Sequence, residues 1–339
     1  MATSAAWAIV GVNSMVGENL VALLDEHSFG YSELALFETA EDAGGRLLIA
    51  GESRRVEPLE KADFSRYAVV IFATEAAVSA EWAPRAVAAG CWVIDTSEQW
   101  QDDTQVPMLV ADVNAASVLA GLPRGLLVSP DSQVVQAALV LQPLLGKGLR
   151  AATISTYQSL STQGRSALEA MALQTGKLLN GQPVEGGSFE KQAAFNLLPR
   201  IGAAQDDGSS AAEARLVSGL RRVLPLTEVP LSVTAVLVPV FYGSGHSLQL
   251  ELEQPVDRKA LASLLRKGPA IKILDKPAAG GFPTPVTEAA GDEHLWVGRI
   301  RQDSIDPKRV SLWSVADNLR VGVARNTLQV AELLIKDYL

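Results

Sequence analysis

The stretch that most limits the fold is residues 7–17, W-A-I-V-G-V-N-S-M-V-G. A short apolar run ends at Gly11, a turn follows, and a helical apolar period begins at Gly17. A run without polar alternation suits a strand buried on both faces, as in a parallel sheet covered by helices. A glycine turn between such a strand and a helix is where a dinucleotide is received. One glycine makes the turn, a second lets the backbone approach the pyrophosphate, and a third lets the helix pack on the strand. The helix N-terminus then faces a phosphate. Here the middle position is Ser14, whose Cβ restricts that approach without forbidding it. Gly11, Ser14, Met15, Val16 and Gly17 are the candidate cofactor residues of the turn.

The same alternation continues downstream. The pattern predicts a helix over 17–27, strands over 33–38 and 68–73, a helix over 79–89, and strands over 91–95 and 126–129. Strands alternating with helices argue an α/β fold with a doubly wound parallel sheet. Beyond residue 130 the pattern changes. A helix over 132–145 and a strand over 151–157 precede a Gly/Pro/polar tract at 180–211. A helix over 211–224 and strands over 232–241 and 247–253 follow. An amphipathic helix over 323–336 ends the chain, with Val323, Leu328, Ala331 and Leu334 on its core face. Two domains are expected, one from 1–129 with 314–339 and an α+β domain from 130–313, which suits a chain of 339 residues.

Charge and composition exclude several classes. Lys and Arg number 29 against 38 Asp and Glu, so no basic footprint exists for nucleic acid or an anionic membrane. No apolar run is long enough for a membrane span, and the N-terminus lacks the basic segment of a signal peptide. A cytoplasmic protein is expected. A single cysteine, Cys91, excludes a disulfide framework, and it reads as a small buried hydrophobe. His27, His246 and His294 lie too far apart for a metal pair, so no metal is expected. His27 reads as a cation at a helix C-terminus and His294 as a solvated turn residue. Trp82, Trp92, Trp100 and Trp296 read as core or interface residues.

Five later stretches carry a resemblance. They are S-P-D-S-Q-V-V-Q-A-A-L-V-L-Q-P-L (129–144), S-T-Y-Q-S-L-S (155–161), A-F-N-L-L-P (194–199), V-G-R-I-R-Q-D (297–303) and D-N-L-R-V-G-V-A-R-N (317–326). In order and across nearly the whole chain, these resemble the motifs of aspartate-β-semialdehyde dehydrogenases. The resemblance is strongest to the USG-type members, which look like the dehydrogenase with an altered active site. It implies a Rossmann domain closed by the C-terminal helix, a central catalytic and dimerisation domain, and a homodimer. The family reaction is reductive dephosphorylation of aspartyl phosphate. A cysteine thiolate attacks the acyl carbon, NADPH supplies hydride, and a histidine moves protons.

At the chemical positions this sequence departs from the family. Ser132 stands at the cysteine, in S-P-D-S where the family has N-P-N-C. A serine hydroxyl needs an activating base that a thiol of pKa about 8.5 can do without. His246 is the candidate base, but it stands two residues later than the family spacing. It either pairs with Ser132 or is a solvated turn histidine. Gln158 is retained where the family orients the acyl group. Gln101 and Leu237 stand at two substrate arginines, and Gly219 at the glutamate that meets the substrate amine. Arg215 keeps the cation at the lysine position. A neutral amide cannot grip phosphate as a guanidinium fork does.

The cofactor stretch changes too. Thr39 stands at the serine and Glu41, beside Asp42, at the arginine that hold the NADP 2′-phosphate in the family. Carboxylates there favour NAD over NADP. Glu75 stands in a loop where glycines meet the cofactor, which disfavours a pyrophosphate. Asn318 is retained at the nicotinamide position. The expectation is a non-catalytic paralogue that binds a small molecule or a protein partner. The alternatives are an NAD(P)-dependent oxidoreductase on a different aldehyde or acyl substrate, or a hydrolase using Ser132 and His246.

Overall fold

The apolar run near the N-terminus forms a central strand of a parallel sheet. The computed structural model describes residues 5–184 and 189–338. The chain divides into two units, one of residues 1–135 and 322–339, the other of 136–321. The expected boundaries at 129 and 313 fall slightly earlier than this division.

In the first unit the chain runs through β1 (Ala5–Val10), α1 (Met15–Glu26), β2 (Tyr31–Glu38), β3 (Arg46–Ile49), β4 (Glu52–Pro58) and β5 (Val69–Phe72). It continues through α2 (Ala76–Ala88), β6 (Trp92–Asp95), α3 (Ala115–Leu119), β7 (Leu126–Val128) and α4 (Ser132–Leu141), whose later residues belong to the second unit. The sheet order is β3-β4-β2-β1-β5-β6-β7, parallel throughout except for β3. Both faces of the sheet are buried, because alternate residues of each strand serve alternate cores. Trp7 and Ile9 point to one core, with Leu20, Leu24 and the C-terminal helix residues Leu328, Ala331 and Leu334. Ala8 and Val10 point to the other, with Phe72, Val93, Cys91 and the α2 alanines Ala83 and Ala86. Each fully buried Leu, Ile or Phe contributes about 1.5–3 kcal/mol. This is the doubly wound arrangement expected from the alternation. The β3–β4 hairpin lay outside the sequence pattern. Its two-residue loop is Ala50-Gly51, at φ 50° and 79°, which is the positive-φ geometry of a tight hairpin turn.

The second unit holds β8 (Leu149–Gln158), α5 (Arg165–Leu179), α6 (Ala211–Val223), β9 (Leu231–Leu237), β10 (Ser244–Leu252), α7 (Arg258–Leu265), β11 (Ile271–Ile273), β12 (Leu295–Gln302) and β13 (Arg309–Ala316). They form a mixed six-stranded sheet in the order β11-β12-β13-β10-β8-β9. Strand β10 shows why one face is core. Ser244, His246, Leu248, Leu250 and Leu252 are buried, while Gln249 is exposed and Ser247 and Glu251 are half-buried.

Several element ends differ from the sequence expectation, and proline explains two of them. The helix expected over 132–145 leaves α geometry after Leu141 and continues as a 3-10 turn over Gln142–Lys147. Pro143 lacks the amide and its ring crowds the preceding turn. The strand expected over 232–241 ends at Leu237, two residues before Pro239. The strand expected from 247 begins at Ser244. The helix expected from 323 begins at Asn326, after a π-helical turn over Arg320–Arg325 that includes Val323. The last residues of the G-Q-P-V-E-G-G-S stretch, 185–188, lie outside the described residues.

Candidate functional site

The glycine turn lies where the strand order reverses, between β1 and β5. That switch point is where an open α/β sheet leaves a crevice beyond its strand ends. Gly11, at φ 90°, follows β1, and a Cβ there would lie 2.3 Å from the Ala73 carbonyl oxygen after β5. A Cβ on Gly17 would lie 2.1 Å from the Gly11 oxygen. Only glycine fits either place. Ser14 has a third role, as N-cap of α1. Its Oγ accepts the Gly17 amide at 2.9 Å and lies 2.6 Å from the Ala73 oxygen, to which its hydroxyl can donate. The serine therefore ties the turn to β5. Met15 and Val16 are the first residues of α1, and both are half-buried.

Thr39 follows β2, and its Oγ1 donates to Asp42 Oδ2 at 3.3 Å. Glu41 and Asp42 are exposed beside it. Glu75 is the N-cap residue of α2, with its side chain exposed and making no cap bond. These residues fit a dinucleotide: a cradle that side chains would fill, and a helix N-terminus opening on it. One residue escaped the sequence reading. Glu38, the last of β2, is 6% exposed and its Oε1 accepts the Asn13 amide of the glycine turn at 2.6 Å. Its distance past the glycines was the available signal. The resemblance drew attention to Thr39 and Glu41 instead.

Ser132 is the first residue of α4 and is 7% exposed. Its Oγ accepts from Gln133 Nε2 at 3.0 Å. Asp131 caps the helix, its Oδ1 accepting the Gln133 amide at 2.7 Å. A carboxylate thus occupies the positive helix end next to residue 132, which disfavours a second anion there. Gly322 lies against Ser132: a Cβ on it would fall 2.4 Å from the serine Cβ. Gln101, at an expected arginine, is buried, and its Nε2 donates to the Ser97 and Ser129 carbonyls at 3.2 and 3.0 Å. It holds backbone in place. Cys91 is fully buried, with Sγ 3.1 Å from the Phe64 and Tyr67 carbonyl oxygens, and burial pushes its thiol up to about 11.

In the second unit, Gln158, Leu237 and His246 come together at one end of the sheet. Gln158 is paired in register with Leu237, and its Nε2 donates to Thr156 Oγ1 at 3.2 Å. Thr156 in turn is paired with His246. Of the two readings of His246, the solvated turn does not hold. His246 lies inside β10 between Thr156 and Ser314, with 0% exposure. Its strand position is even, so the period of two turns it to the core face with Leu248. Burial lowers its pKa from 6.5 to about 3, so the ring is neutral. The position two residues earlier, at the family spacing, is Ser244. Ser244 is buried, and its carbonyl accepts from Gln136 Nε2 at 3.4 Å.

Asn318 is also buried here, and its Oδ1 accepts from Ser159 Oγ, Ser161 Oγ and the Gly243 amide at 3.0, 2.9 and 3.2 Å. Three donors on one oxygen fix the amide plane. Arg215 is half-buried on α6, and Gly219 is buried on the same helix. Glu213 caps α6 with Ser210 and accepts the Ala235 amide of β9 at 2.9 Å, which anchors the helix to that strand. His27 is the exposed C-cap of α1, as expected. His294 is half-buried and 2.8 Å from Asp292 Oδ1. Trp92 is in the core, while Trp82, Trp100 and Trp296 are half-buried.

Comparison with known proteins gives the same two parts. The semialdehyde dehydrogenase NAD binding domain matches residues 7–120, and the semialdehyde dehydrogenase dimerisation domain matches 141–321. Aspartate-semialdehyde dehydrogenase 2 of Vibrio cholerae is 33% identical over 332 residues, covering 98% of each chain. A USG-1 protein homolog of Pseudomonas aeruginosa is 40% identical over 333 residues, again covering 98% of each. The solved structure of a probable aspartate-semialdehyde dehydrogenase from Pseudomonas aeruginosa superposes with a TM-score of 0.93 at 38% identity, covering 99% of this chain and 100% of that one. With both domains matched and full-length relatives of each kind, the chain belongs to the aspartate-semialdehyde dehydrogenase family, in its USG-type branch.

Proposed function

We propose that this protein is a non-catalytic member of its family, one that keeps a dinucleotide seat and has lost the acyl-phosphate chemistry. The burial of His246 carries the reading. A ring with no exposure is closed to a substrate, and burial, which lowers its pKa to about 3, makes it a weak base. Ser132 has the Asp131 carboxylate at its own helix end, so ionising its hydroxyl is opposed rather than assisted. Leu237 offers no charge to a substrate carboxylate, and the Gln101 amide is spent on two backbone carbonyls. The obstacles at Ser132 and His246 also stand against a different aldehyde substrate and against a Ser132–His246 hydrolase.

The turn of Gly11, Ser14, Met15, Val16 and Gly17, with Thr39 beside it, would hold the dinucleotide. Asn318 is retained at the position that the resemblance assigns to the nicotinamide. A bound nicotinamide supplies hydride chemistry, and here the seat would serve binding. Carboxylates at Glu41 and Asp42 favour NAD over NADP. The dimerisation domain supports a homodimer, and a cytoplasmic location follows from the family. Among the described residues no helix is long and apolar enough to cross a membrane.

The test pairs turnover with binding. Aspartate semialdehyde, phosphate and NAD or NADP should give no reduced nicotinamide. NAD should raise the melting temperature by mass action. Ser132→Cys should remain inactive, because the thiol gains neither a base nor a substrate grip. Turnover by the unmodified protein would overturn the proposal. Turnover by Ser132→Cys alone would reduce the loss to a single atom.

A further inference from the structure

The Glu38 side chain is buried at the end of β2, and the proposed function leaves it without a role beyond its bond to the glycine turn. Val10 and Phe37 are register partners, and the Gly11 amide donates to the Phe37 oxygen at 2.9 Å, so the end of β2 is fastened to the glycine turn. Glu38 follows immediately and accepts the Asn13 amide from that turn at 2.6 Å. The Asn13 side chain donates to the Asp42 carbonyl at 3.1 Å, closing the loop beside it. Burial pushes the Glu38 carboxyl up, and the backbone amides of Asn13 and Thr39 pull it down. A carboxylate has roughly four acceptor sites, and these two amides leave room for further donors. Burying such a group is costly unless donors meet it.

We propose that Glu38 selects the dinucleotide, accepting the 2′-hydroxyl of the adenosine ribose of NAD and repelling the 2′-phosphate of NADP. The inference rests on the reading that the glycine turn receives a dinucleotide. Glu38 stands twenty-one residues after Gly17, and an acid about twenty residues past the glycine turn is the group that accepts a ribose diol. Residues 38–45 hold three carboxylates, Glu38, Glu41 and Asp42, and no Lys or Arg. A phosphate dianion placed there meets only like charge from the side chains of this loop. Of the three, Glu38 alone is buried and bonded to the turn itself.

Calorimetric titration of the full chain with NAD and with NADP tests this without any turnover. The unmodified protein should bind NAD about tenfold or more tightly than NADP, the worth of one charge-assisted hydrogen bond. Glu38→Ser should shift the ratio about tenfold toward NADP. Glu38→Gln keeps the shape and an acceptor for the Asn13 amide, so it should fold normally, as circular dichroism would check, and still lose most of the preference. A ratio unchanged in both variants would overturn the role of Glu38 and leave the seat standing. An unmodified protein that binds neither dinucleotide would remove the seat, and this inference with it.

Discussion

At the scale of single residues, identity was legible and environment was not. That Ser132 falls at the cysteine and Leu237 at an arginine is what the motif resemblance implies from residue identity and order. That His246 is a core residue cannot be read this way, because two extra residues in the turn leave its register open. The strand settles it. Two residues past Ser244 is again the core face, so the ring lies between Thr156 and Ser314 with no exposure. A histidine of lowered pKa makes stability depend on acid. The unfolded chain takes up a proton below pH 6.5, while the folded chain does so only near 3. Stability contributed by the neutral ring is complete above pH 6.5 and is lost as pH falls toward 3. The slope from this one group approaches about 1.4 kcal/mol per pH unit. Denaturant midpoints measured against pH should be flatter in His246→Gln than in the unmodified protein over that window. Equal slopes would show that the ring is protonated in the fold.

At the scale of elements, the strand–turn–helix at the N-terminus was legible because each local choice agrees with the others. The apolar run, the two glycines and the helical period after them all specify one arrangement, and the structure adds Ser14 as the helix cap. What the glycines avoid is a contact with backbone, which cannot move aside as a side chain can. Gly17→Ala would bring a methyl within 2.1 Å of the Gly11 oxygen, so α1 must shift outward. A loss of about 3 kcal/mol, the upper part of the range for overpacking, is expected. Ser14→Ala removes only the cap and its tie to β5, and should cost about 1 kcal/mol. Thermal or urea unfolding of the two variants checks the order, and an equal or reversed ranking would contradict the close approach. The ends of elements were less legible. Pro143 ends α geometry and Pro239 follows the end of β9 where apolar periodicity runs on, because a missing amide weighs more there than a favourable pattern.

At the scale of the whole molecule, exposed apolar surface is uneven. Among the described residues, Phe195, Leu197, Leu173, Leu179, Phe282, Val286 and Ile305 are large, apolar, exposed and in the unit of residues 136–321, while Leu48 is exposed in the other. Where such residues adjoin in one patch, the patch marks a place where another chain is buried. Those of the second unit fall within the dimerisation domain matched at 141–321. Sedimentation equilibrium at micromolar concentration should give a mass near twice 35.9 kDa. A monomer there would leave these side chains without a partner and count against the homodimer.

The sequence by itself determined the class of fold and the glycine turn, since these depend on local pattern and order along the chain. The tertiary structure alone decided what the residues at the chemical positions can do. The buried face of β10 makes His246 neutral, the cap of Asp131 opposes an anion at Ser132, and the meeting of β2 with the glycine turn buries Glu38. Proton affinity follows from burial and from neighbours distant in sequence, and it is not written in the spacing of residues along one strand.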